Sequence, residues 1–125
     1  MTGNQVIHEL FAALDALDVD RLGAVMSDDV QAVDEVRRKW VRGKSDVTAY
    51  LTHVADDIEH VTAQISDITV AEPGPDTRVV TFMLDQSYNA GGRAETVHAP
   101  ATAILRREGD DWKVALYHSV TLRAP

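Results

Sequence analysis

The chain has 125 residues, 45% of them hydrophobic and 26% charged, with no cysteine. That length suits one domain, residues 1–125, able to bury a core without staples, and the lack of cysteine excludes disulfides, thiol nucleophiles and thiolate metal centres. Twenty acidic against twelve basic residues give a formal charge of −8, which repels phosphate backbones and removes nucleic acid from the expected partners.

No apolar run approaches the ~18–20 residues of a membrane span. The first fifteen residues carry Glu9 and Asp15 but no lysine or arginine, unlike a signal peptide. A cytoplasmic protein with no membrane partner is expected. Val6, Leu10, Leu14 and Leu17, widened by Ile7 and Phe11, form the apolar stripe of a first helix, with Thr2 and Gln5 spaced for a capping box. Asp18 or Asp20 then caps a short second helix carrying Leu22, Val25 and Met26, which Ser27, Asp28 and Asp29 should end. Short strands are expected over Val30–Glu35 and Arg38–Val41, with Gly43 as the break. Ser45 or Asp46 should cap a third helix with Val47, Tyr50, Leu51 and Val54 on one face.

From there the period is two. Val61, Ala63 and Ile65 share one parity and Ile68 and Val70 the other, which predicts a bulge near Ser66 and Asp67. Pro73–Asp76 is a turn, Arg78–Tyr88 a strand, and Asn89–Gly92 a hairpin turn, not a phosphate loop. Strands over about Glu95–Arg107 and Trp112–Leu122 complete a meander, with Pro100 expected at a bulge or an edge. The order predicts an α+β fold: three N-terminal helices on a curved, mostly antiparallel sheet, closing a cone whose interior is the natural binding pocket.

The run Phe11–Asp20, the junction Met26–Val30, Arg42-Gly43-Lys44 and the closing Trp112–Ser119 resemble the NTF2-like superfamily in its SnoaL-like and ketosteroid-isomerase-like branches. The resemblance covers nearly the whole chain and implies the cone-shaped fold; it leaves function open, because a fold hosts sites without defining them. By that resemblance Asp34 stands where ketosteroid isomerases keep their proton-moving aspartate. The oxyanion tyrosine falls on Leu10 or Phe11, and the second oxyanion donor on Thr102. Leu10 and Phe11 cannot donate and Thr102 donates weakly, which disfavours steroid isomerisation of that kind.

Asp34 is the candidate acid–base residue: partial burial of a strand-end carboxylate would bring proton exchange toward neutrality. Its alternative role is a surface partner of Arg37 or Arg38. Trp40, Tyr50, Met83 and Tyr88 are candidate pocket walls or plain core. His98, Thr102, Tyr117 and His118 are candidate substrate contacts, but two parities compete. The family pattern turns His98, Pro100, Thr102, Ile104, Tyr117 and Ser119 inward; simple alternation instead buries Trp112, Val114, Leu116 and His118. Ser119 and His118, as strand neighbours, point to opposite faces and cannot form a nucleophile–base pair. No H-x-H or H-E-x-x-H spacing occurs, so neither metal nor cofactor is expected. The basic triplet Arg37–Lys39 and the acidic patch around Asp56, Asp57 and Glu59 read as solvated faces.

Two functions are carried forward. One is an acid–base isomerase or cyclase acting on a small apolar, polyketide-like molecule; the other is a non-catalytic ligand-binding or dimerisation domain. A sheet-to-sheet homodimer is expected, through a face bearing Trp112, Val114, Leu116 and Val120 with Val97, Ala99, Ala101, Ala103 and Leu105, if helices cover the other side.

Overall fold

The computed structural model describes residues 1–34 and 37–120. Glu35 and Leu122, the expected ends of two strands, lie outside the described residues. The elements run α1 (Gly3–Asp15), α2 (Val19–Ala24), β1 (Met26–Asp34), β2 (Lys39–Arg42), α3 (Lys44–Asp57), β3 (Ile58–Gly74), β4 (Thr77–Ala90), β5 (Arg93–Glu108) and β6 (Asp111–Ser119). The six strands form one sheet in the order β2-β1-β6-β5-β4-β3. Neighbours are antiparallel except β1 and β6, which are parallel. The fold is α+β, with helices gathered on one face of the sheet.

The helix starts follow local chemistry. Thr2 and Gln5 form the capping box of α1, with reciprocal hydrogen bonds of 3.2 and 2.8 Å. The Asp18 carboxylate caps α2 by accepting from the Arg21 amide at 3.2 Å. Two expectations fail here. Ser27-Asp28-Asp29 does not end α2 but lies inside β1, because tertiary pairing takes the chain over at once. The Val114 amide donates to the Val25 carbonyl, Met26 pairs with Val114, and Asp29 is held by Arg106 at 2.6 Å. Nor do Ser45 or Asp46 cap α3. Gly43 does, at φ +88°, giving its amide to Val30 and receiving that of Val47 on its carbonyl.

The bulge near Ser66 and Asp67 is present: the β3–β4 register shifts between Ser66 and Thr69, and Asp67 has φ +52°. A second slip decides the parity of β6. Ile104 pairs with Leu116 but Leu105 with Val114, so Ala115 is the extra residue. Trp112 and Val114 therefore face the helices before it, and Tyr117 and Ser119 after it. On β5 the helix-facing residues are Ala99, Ala101, Ala103 and Leu105, all buried. His98, Pro100, Thr102 and Ile104 face away, against the family-based expectation. The alanines leave room for α1, whose Phe11 meets Phe82 edge-on at 5.7 Å and Tyr117 at 6.0 Å.

Most of the surface expected to carry a dimer, Trp112, Val114 and the β5 alanines with Leu105, is therefore the one the helices cover, whereas Leu116 falls on the other side. Met83, Pro100, Thr102, Ile104, Leu116 and His118 form the half-buried outer face instead. Pro100 is neither at a bulge nor on an edge strand. It stays in register with Met83, and its other side meets the end of β6, where its carbonyl accepts from the Val120 amide.

Candidate functional site

A cleft of about 440 Å³ lies between α3 and the β1–β2 hairpin. Strand pairing builds one wall. Asp34 sits opposite Lys39, Val33 opposite Trp40 and Ala32 opposite Val41. Alternation buries Val41 in the core and leaves Trp40 42% exposed at the rim. Helical spacing builds the other wall: Asp46, His53 and Asp57, seven and then four residues apart, share a stripe of α3 with Tyr50.

Among the described residues Asp34 is the one buried carboxylate, its residue only 3% exposed. Its Oδ1 accepts from the Arg37 amide at 3.0 Å, and its Oδ2 lies 3.9 Å from Arg37 Nε. The Arg37 side chain is itself 70% exposed, so solvent screens much of that pair. Asp34 is thus a buried group that borders a cleft and is also the partner of Arg37. The cations continue along the strand wall. Arg42 donates from Nε to Gln31 at 3.0 Å, and its guanidinium lies 5.9 Å from the Trp40 ring centre. Lys39 has no hydrogen-bond or ion-pair partner among the described residues.

Of the candidates read from the sequence, Asp34, Trp40 and Tyr50 meet in this cleft. The structure does not bring the others to it. Tyr117 packs in the core against Phe11 and Phe82. Tyr88 lies toward the far end of the β4–β5 hairpin, opposite Glu95. Met83, His98, Thr102 and His118 stand on the outer face, where His98 Nδ1 lies 2.5 Å from Asp85 Oδ1. His118 reaches the cleft only through the Trp40 ring, which it meets edge-on at 6.5 Å. Leu10 and Phe11, the family's oxyanion position, are buried apolar core.

Sequence reasoning missed Arg37, Lys39, Arg42, Asp46, His53 and Asp57 as cleft residues. The available signals were the basic run just after Asp34, read as a solvated face, and the seven-then-four spacing on α3, of which Asp46 was read as a cap and Asp57 as part of a solvated patch. A second cleft lies between α1 and β3, where His8, Phe11 and Asp15 face Ala63 and Ile65. Among the described residues no three His, Asp or Glu side chains converge as metal ligands, and no helix is long and apolar enough to cross a membrane.

The comparisons with known proteins agree with this architecture. A ketosteroid isomerase-like protein from Erwinia carotovora atroseptica superposes with a TM-score of 0.83 at 15% identity, covering 97% of this chain and 94% of that one. A proposed dehydratase of the NTF2-like family from Streptomyces avermitilis gives 0.86 at 18% identity, over 97% and 94%. A proposed calcium/calmodulin-dependent protein kinase type II association domain from Thiobacillus denitrificans gives 0.78 at 22%, over 98% and 96%. At such identities the likeness establishes the fold and leaves chemistry open. No curated protein matches the chain. The SnoaL-like domain model matches residues 4–122, so this chain, with its NTF2-like fold, belongs to the SnoaL-like domain family.

Proposed function

We propose that the chain is a small-molecule pocket protein of acid–base type, an isomerase or cyclase in which Asp34 moves a proton. The observation that carries this reading is a buried carboxylate at the edge of a cleft that also offers an aromatic rim and a phenol. The Arg37 amide donates to one carboxylate oxygen and so orients the group, and the Asp34 carboxylate is the proposed proton acceptor. Trp40, Val41 and Tyr50 are the proposed walls for an apolar substrate body. Tyr50 is the proposed donor to negative charge developing on the substrate, a role that the family's usual positions cannot fill here. No cofactor is needed for such proton transfer, and a cytoplasmic place is part of the proposal.

Deuterium uptake tests this without knowledge of the product. A panel of enolisable ketones incubated in heavy water with the protein should exchange carbon-bound hydrogen, followed by NMR. Asp34→Asn keeps the shape and should lose ~10²–10⁴ of the exchange rate, the worth of a positioned general base. Equal exchange by both proteins, or none by the wild type, would overturn the reading.

The alternative is a non-catalytic ligand-binding or dimerisation domain. The half-buried apolar face of the sheet favours its assembly half, as does the likeness to an association domain.

A further inference from the structure

Five of the twelve basic residues, Arg37, Arg38, Lys39, Arg42 and Lys44, fall within eight positions of a chain whose net charge is −8. Three of them, Arg37, Lys39 and Arg42, line the one cleft that holds Asp34. Several cations outside the cleft meet carboxylates at close range, and Lys44 of the same basic run meets Asp28 at 3.5 Å. Arg21 meets Glu9 at 2.8 Å, Arg106 meets Asp29 at 2.6 Å, and Arg107 meets Asp76 at 2.7 Å. The cleft does not follow that pattern. Arg37 has its carboxylate only at 3.9 Å, the described hydrogen-bond partner of Arg42 is the neutral amide of Gln31, and Lys39 has none.

Of the cleft's three acids, Asp34 faces Arg37, whereas Asp46 and Asp57 stand on the helix wall and form no ion pair with these cations among the described residues. The cleft is thus basic along β2 and acidic along α3. Like charges gathered at one wall repel each other, and a bound anion would relieve that repulsion. The same wall presents the exposed Trp40 ring, with the Arg42 guanidinium 5.9 Å from its centre.

We infer that the cleft binds a planar carboxylate, an aromatic or conjugated acid whose ring lies on Trp40 and whose carboxylate faces Lys39 and Arg42. This rests on the cleft being the functional site and narrows its substrate class: the apolar body carries an acid group. A neutral apolar molecule would leave the cations unanswered. A bare anion would leave Trp40 unused, and a cation would seek the α3 wall.

NMR of the two tryptophan indole N–H groups tests this, with Trp112, buried beneath Arg78, as internal control. Benzoate at millimolar concentration should shift the Trp40 resonance saturably and leave Trp112 in place. Benzyl alcohol, benzylamine and inorganic phosphate should each bind at least about tenfold more weakly, the scale of one charge-assisted hydrogen bond. Lys39→Ala and Arg42→Ala, both exposed, should each weaken benzoate by roughly tenfold, and added salt should weaken it too. An unmoved Trp112 resonance confirms that each variant is folded. Benzylamine or benzyl alcohol binding as well as benzoate, phosphate matching it, or no Trp40 response at all would overturn the inference. Benzoate binding with deuterium exchange unaffected by Asp34→Asn would sink the catalytic reading alone. Asp34-dependent exchange without a benzoate response would sink the carboxylate alone.

Discussion

Two aspartates show how little residue type decides without surroundings. Asp34 and Asp15 both end an element and both lose water, yet only Asp34 has a described cation beside it as well as a backbone donor. Asp15 Oδ1 is buried with no hydrogen-bond partner. Burial pushes its carboxyl above the ordinary aspartate range, against a smaller opposing effect of the Ala63 amide. The folded state then holds the Asp15 proton more tightly than the unfolded chain does. The associated stability is complete below the ordinary carboxylate value and is lost as pH rises through the raised one. Asp15→Asn removes the charge, so it should raise the melting temperature at neutral pH and lose that advantage in acid. Melting curves across that range check it; an equal difference at every pH would contradict it. For Asp34, Asn can still accept from the Arg37 amide, and the ion pair it gives up is screened, so the stability change should be ~0–1 kcal/mol. A urea titration of the variant used for the exchange assay measures it.

At the scale of elements, the position of α3 depends on one residue. Gly43 begins the helix at φ +88° and ψ 145°, a region open essentially to glycine. Its amide ties the helix start to Val30 of β1 at 2.8 Å, which sets α3 across from the β1–β2 hairpin and so frames the cleft. A Cβ placed on Gly43 would meet no atom within 4 Å, so substitution costs backbone strain alone. Gly43→Ala should destabilise the fold by about 1–3 kcal/mol, read from the urea midpoint. Gly23→Ala is the control: it meets Thr48 Cγ2 at 3.3 Å without a positive φ, and has no backbone strain of this kind. If Gly43→Ala proved no more costly than Gly23→Ala, the strain argument would fail.

For the molecule as a whole, the unequal faces of the sheet matter most. Helices cover the face of Phe82, Ala101, Ala103 and Val114. The other face carries Met83, Pro100, Ile104 and Leu116 half-buried, with no helix of the described residues over them. Apolar surface of that extent on a monomer usually meets a partner, and a two-fold sheet-to-sheet homodimer is the proposed assembly. Light scattering at micromolar concentration should give twice the mass of 13.7 kDa. Ile104→Glu, which places a charge on the outer face, should return the monomer with its circular dichroism intact. A wild type already monomeric at that concentration would end the proposal.

Features governed by local rules were legible in the chain alone. The capping box of Thr2 and Gln5, the Asp18 cap, the stripe of α1, the period-two meander and the bulge at Asp67 all depend on residues a few positions apart. The α+β class follows from their order. Three candidate site residues, Asp34, Trp40 and Tyr50, were legible for a similar reason: two flank a short hairpin and one lies on the exposed side of a helical stripe. What remained undecided required contacts between distant segments. The parity of β6 turns on the slip at Ala115, which exists only because β6 pairs with β5 on one side and with β1 on the other. Strand β1 begins at Met26 because Val114, eighty-eight positions later, offers it a partner. The basic wall of the cleft looked like an ordinary solvated run, since its surroundings are set by α3, which the fold brings across from it. Local sequence fixes which residues can share a face; only long-range pairing decides which face meets the helices and which meets the solvent.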